Sequence, residues 1–121
     1  MTDEQNATVT ALFRAISEYD ADVVRSLFTE DATAFQPTRP VYNGPDGAVQ
    51  MINDLSRSYV DFIVQPLRTI AQGDHVAVEW NATVTDFGGG QSKVDGASLI
   101  DFQGEHIHRL HSYWRPEDMH G

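Results

Sequence analysis

His75-Val76-Ala77-Val78-Glu79-Trp80-Asn81-Ala82-Thr83-Val84-Thr85-Asp86-Phe87 decides the fold, because its side chains change character at every step. Val76, Val78, Trp80, Ala82 and Val84 form one set; Ala77, Glu79, Asn81 and Thr83 form the other. A period of two means a strand with one face buried, and the Trp-bearing set is the inward one. Downstream, Gly88-Gly89-Gly90 and Gly104 mark turns between further strands at Gln91–Gln103 and Glu105–Trp114. Upstream, Gln72-Gly73-Asp74 turns back to a strand at Asp61–Ala71. The same parity turns Gly96, Ser98, Ile100 and Phe102 inward, and likewise Leu110, Ser112 and Trp114. Asp95, Asp101, Arg109, His111 and Tyr113 then face outward.

A one-sided meander needs a cover, and the first half of the chain supplies helices. Thr2 and Gln5 have capping-box spacing. Val9, Leu12, Phe13 and Ile16 follow as the stripe of an amphipathic helix. Asp20 suits the N-cap of a shorter helix with Val23, Val24, Leu27 and Phe28 on its buried side. A short strand is expected over Asp31–Gln36, then a surface loop holding Pro37, Pro40 and Gly44. Pro45 opens a third helix with Ala48, Met51, Ile52 and Leu55 inward. Helix–helix–strand–helix–strands is an α+β order in a single domain, residues 1–121.

Composition limits the function. The 121 residues carry 18 acidic against 8 basic side chains, a formal charge of −10. That balance repels phosphate backbones and anionic lipid, so neither nucleic acid nor membrane is expected as a partner. The absence of cysteine rules out disulfides, thiolate nucleophiles and Cys-type zinc sites. The acidic, polar N-terminus is unlike a signal peptide, and a cytoplasmic location is expected. Without a secretory signal, the sequons at Asn6 and Asn81 are read as chance.

Leu27-Phe28-Thr29-Glu30-Asp31-Ala32-Thr33, then Pro37 and a helix starting near Gly44, resembles the front half of the nuclear transport factor 2-like superfamily. Phe102-Gln103-Gly104-Glu105-His106-Ile107 and the later Tyr113-Trp114 are similar to ketosteroid isomerases and SnoaL-like polyketide cyclases. The resemblance runs over about residues 8–119. It implies a cone: a strongly curved mixed or antiparallel sheet wrapped around the long first helix, with a deep apolar cavity. It also implies a homodimer through the sheet's outer face, where Ala77, Glu79, Asn81, Thr83 and Leu99 lie.

Residue by residue, the isomerase positions are replaced. The enolate-binding tyrosine falls on Leu12, the proton-shuttling aspartate on Gln36, and the strand acid on Ser98. Glutamine takes no proton from carbon, so the isomerase mechanism is not supported. The His and Asp of SnoaL-type cyclases fall on Ser98 and Ser112. Trp114 matches an aromatic of the isomerase steroid pocket. Tyr19-Asp20 resembles the Tyr-Asp pair of scytalone dehydratase-like members, although an N-cap role for Asp20 and packing for Tyr19 is the plainer reading.

The candidate catalytic residues are therefore Tyr19, Asp20, Ser98 and His108, the last if its side chain faces inward at the cavity mouth. Leu12, Gln36, Trp80, Ser112 and Trp114 are the candidate ligand contacts. No cofactor is expected. His106 and His108 share a strand face and could hold a metal, but no third ligand stands at strand-compatible spacing. His120 belongs to the tail. Two readings of Trp80 and Trp114 stay open, pocket wall and core filling. Three functions remain: an isomerase, cyclase or dehydratase acting on a polyketide-, terpenoid- or steroid-like compound; a non-catalytic binder of apolar ligands; and a dimerisation module with a filled cone.

Overall fold

The computed structural model describes residues 1–118; His120 lies outside the described residues. Helix α1 spans Asp3–Glu18. Its capping box is complete, with Thr2 Oγ1 accepting from the Gln5 amide at 3.0 Å and Gln5 Oε1 accepting from the Thr2 amide at 3.2 Å. It stops at Tyr19, which is left-handed at φ 53°. Asp20 caps α2, Ala21–Leu27, accepting from the Val23 amide at 3.1 Å.

Val24 is fully buried on α2, but Val23, expected beside it, is 38% exposed. Neighbouring positions on a helix point about 100° apart, and this seven-residue helix has only one covered side. Phe28 is buried as expected, but it opens strand β1, Phe28–Phe35, rather than closing α2. Inside the expected loop, Tyr42–Asn43 forms a two-residue strand β2 against Thr33 and Ala34. Helix α3 is Gly44–Ser58, and its Ala48, Met51, Ile52 and Leu55 are all buried.

The meander follows as β3 Asp61–Gln72, β4 His75–Thr85, β5 Gln91–Gln103 and β6 His106–Trp114. One sheet runs β2-β1-β6-β5-β4-β3. It is mixed, because β1 lies parallel to β6 while every other pair is antiparallel. It does not close, and β2 and β3 remain its edges. Along β4 the burial alternates from Val76 to Val84 as the period of two requires. No helix among the described residues is long and apolar enough to cross a membrane.

Polar side chains seal one end of the cone. Gln5, 2% exposed, donates through Nε2 to Asp74 Oδ1 and to the Gly104 carbonyl, both at 2.9 Å. One α1 residue thus ties down the β3–β4 and β5–β6 turns together. Thr8 Oγ1 adds a bond to the Glu105 carbonyl at 2.8 Å. Halfway along, Ser17 Oγ accepts from the Val64 amide at 3.0 Å, so α1 satisfies a backbone donor on the edge strand β3.

Candidate functional site

Two neighbouring rungs of the sheet build the site. Trp80, Gly96 and Trp114 stand opposite one another on β4, β5 and β6, and Val78, Ser98 and Ser112 form the next rung. Gly96 has no side chain, and the Trp80 indole lies over it. Trp80 and Trp114 meet edge to face at 5.8 Å, and Phe62 from β3 packs on both, at 6.3 and 5.9 Å. Such contacts each add about 0.5–1.5 kcal/mol beyond burial.

Between these rings and the helices lies a cavity of about 20 Å³, room for one water molecule. Phe13 and Ile16 of α1 close it from one side, Met51 and Leu55 of α3 from another, and Ser98, Ser112 and Gln36 are its polar walls. This interior is narrower than the deep chamber the resemblance implies, because the rings that wall it also fill it. Trp80, 2% exposed, belongs to the core. Trp114 is partly buried and also borders an outer vestibule of about 60 Å³ formed by residues 37–39 and Asp54, Ser58 and Tyr59. Gln36, Leu55 and Trp114 are common to both spaces and partition them.

The serine hydrogen bonds have a direction. Trp80 Nε1–H donates to Ser98 Oγ at 3.0 Å, and Ser98 Oγ lies 2.8 Å from Ser112 Oγ. An indole N–H only donates. If Ser112 also donated to Ser98, the buried Ser98 proton would have no acceptor. Ser98 therefore donates to Ser112, and the Ser112 hydroxyl keeps a proton for the cavity.

A second string runs from Gln36 to the surface. Gln36 Nε2 donates to the Tyr42 hydroxyl at 3.3 Å, and Tyr42 donates to Asp54 Oδ2 at 2.6 Å. Gln50 and Arg57 donate to Asp54 Oδ1 at 2.9 and 3.3 Å. The Tyr42 hydrogen bond holds the Asp54 carboxyl below the usual carboxylate value. Burial, then that bond, pushes the Tyr42 phenol up to about 12. The inner cavity itself has no carboxylate, histidine, lysine or arginine in its wall among the described residues.

Strand parity places Trp80, Ser98, Ser112 and Trp114 on the wall as expected, and Gln36 joins them. Leu12 is fully buried but off the wall, since Phe13, one residue round the helix, takes that side. Tyr19 and Asp20 are also off it. The Tyr19 hydroxyl donates to the Tyr59 carbonyl at 3.0 Å and fastens the end of α3, and Asp20 is the α2 cap.

His108 does not turn inward. It is the extra residue of a β-bulge, because Asp101 pairs with Arg109 and Phe102 with Ile107. The bulge puts Ile107 in the core and sets His108 Nδ1 3.2 Å from Thr29 Oγ1 and 3.4 Å from Asp31. It also breaks the regular strand on which a shared face with His106 depends. No cluster of three metal-binding side chains occurs among the described residues.

Sequence reasoning missed Tyr42 and Asp54. The spacing of Gln50, Asp54 and Arg57 on α3 was the available signal, since it puts a carboxylate between two donors beside the buried stripe.

A family model for the SnoaL-like domain matches residues 9–110, from within α1 to within β6. The chain belongs to the SnoaL-like domain family. No curated protein matches it.

Solved structures share the SnoaL-like fold. A ketosteroid isomerase-like protein from Catenulispora acidiphila, in complex with trimethylamine, superposes with a TM-score of 0.87 at 20% identity, over 93% of this chain and 88% of that one. SalBIII, an epoxide hydrolase/cyclase-like enzyme in pyran ring formation of the polyether salinomycin, gives 0.81 at 24% identity, over 98% and 97%. A SnoaL-like polyketide cyclase from Jannaschia gives 0.83 at 18% identity, over 94% and 87%. At these identities the likeness is one of fold.

Proposed function

We propose that this SnoaL-like domain binds an apolar, oxygen-bearing small molecule of the polyketide, terpenoid or steroid-like kind and orients it by hydrogen bonds, without supplying an acid or base. The observation that carries this reading is the wall of the inner cavity. It offers a hydroxyl proton at Ser112, an amide at Gln36 and otherwise apolar or aromatic surface. Ligand sites pair such apolar walls with a few orienting polar groups. Anything larger than water enters by turning the Trp114 indole outward, which joins the cavity to the vestibule. Trp114 ends β6 and is only partly buried.

The family and its neighbours favour a second reading: an isomerase, cyclase or dehydratase that works by orientation and polarisation. Ser112, itself accepting from Ser98, would polarise a carbonyl or epoxide oxygen, and the proton would move within the substrate or to water. In either reading the domain works as a homodimer. Exposed Leu67, Leu99 and Tyr113 on the outer sheet face support that pairing.

Native mass spectrometry of the purified protein against an apolar metabolite extract tests these readings. A retained compound, released unchanged, supports binding. A retained compound released as an isomer or with loss of water supports catalysis. Failure to retain any compound contradicts both.

A further inference from the structure

The Gln36 side chain is a planar amide whose two ends read as opposite signals, a donor at Nε2 and an acceptor at Oε1. Which end meets a ligand is fixed some distance away. Asp54 is ionised and only accepts, so the Tyr42 hydroxyl must give its proton to Asp54 Oδ2. Tyr42 oxygen then has only lone pairs for Gln36, which answers with Nε2. Among the described residues, no other hydrogen bond holds the Gln36 side chain, and no buried polar side-chain atom lacks a partner. Oε1 therefore reaches open space. The spaces beside Gln36 are the inner cavity and the vestibule.

Resting on the ligand-orienting reading above, we propose that Asp54, acting through Tyr42, is the positioning residue that makes Gln36 a hydrogen-bond acceptor toward the ligand. The site then selects molecules with a hydroxyl or N–H for Gln36 in addition to the oxygen held by Ser112. A compact hydroxy-ketone or hydroxylated ring ether meets both demands; a plain hydrocarbon or a simple ketone does not.

Asp54→Asn reverses the signal without changing shape. Gln50 and Arg57 donate to Oδ1, so the substituted side chain keeps its oxygen there and presents its amide nitrogen to Tyr42. The Tyr42 hydroxyl then accepts from that nitrogen and donates to Gln36, which turns its amide over and offers N–H to the ligand.

Two readouts in isotope-labelled protein decide the matter. The first is the pattern of NOEs from the Gln36 side-chain amide protons. In the wild type they contact the Tyr42 ring, and in Asp54→Asn those contacts are lost. The second is the affinity for phenol, a donor probe, against anisole, the same ring without the proton, both followed by chemical-shift titration. The wild type is expected to prefer phenol by about 3- to 10-fold, the worth of one hydrogen bond. The variant is expected to lose that preference.

Unchanged NOEs in the variant overturn the proposal. An amide that turns over while the phenol preference persists overturns the claim about ligand selection. If neither probe binds the wild-type protein, the ligand-orienting reading fails, and the NOE comparison still decides whether Asp54 sets the amide. Tyr42→Phe cuts the same relay without touching the carboxylate. It leaves the Gln36 amide free to turn either way, so the preference must fall below the wild-type value, and it replaces Asp54→Asn if that variant does not fold.

Discussion

Trp80 occupies the space that a side chain at position 96 would need. A Cβ on Gly96 would stand 2.8 Å from Trp80 Cε2 and nearer still to the outer ring carbons. The two residues face each other across β4 and β5. The glycine is a condition for burying the indole whose N–H starts the serine string. Gly96→Ala is predicted to destabilise the fold by about 1–3 kcal/mol through overpacking. Urea unfolding checks this, and stability equal to the wild type would mean that the indole sits elsewhere.

Gln5 holds two turns from one helix end. Removing its amide leaves the Gly104 carbonyl and Asp74 without their buried donor. Gln5→Ala should lower unfolding free energy by about 1–3 kcal/mol. Hydrogen exchange should rise in the β3–β4 and β5–β6 turns before it rises in α3. Uniform loosening would argue against a local clamp.

The serine string predicts unequal losses. Ser98→Ala strands the buried Trp80 N–H, at a cost of about 1–3 kcal/mol. Ser112→Ala breaks one hydrogen bond rather than two, but it leaves the buried Ser98 proton without its acceptor and should cost about 1 kcal/mol, the low end of that range. Denaturant midpoints of the two variants compare them directly. A larger loss at Ser112 than at Ser98 would mean that the Trp80 N–H does not rely on Ser98.

Alkaline pH should weaken the fold through two tyrosines. Burial raises Tyr19 and Tyr42 from the ordinary 10.0 to about 12. A phenol that holds its proton more tightly when folded contributes stability that is complete below pH 10. That stability is lost as pH climbs from about 10 to about 12. Tyr19→Phe and Tyr42→Phe should each flatten the fall of the urea midpoint across that window. An unchanged slope in both would show that neither phenol is held in its protonated form.

The parity of β4, β5 and β6 was legible because the apolar set alternates without interruption around Trp80, Ser98 and Ser112. His108 was not, because one inserted residue reverses the facing of everything on its far side, and no glycine or proline marks the bulge. Tyr42 escaped notice because two residues between Pro40 and Gly44 are too few to show a period. Its partner Asp54 lies twelve positions along, on another element. The narrowness of the cavity was equally invisible: whether two indoles line a hollow or fill it depends on a contact across three strands. Local pattern gave the faces, and only the assembled sheet gave the distances.

In the proposed function, the inner cavity recognises its ligand without any group that titrates near neutrality. Phenol affinity measured between about pH 5 and 9, where the probe stays neutral, tests it most directly. The dissociation constant is expected to stay flat across that range. A sigmoid or bell-shaped dependence within it would place an ionising side chain against the ligand and contradict the site described here.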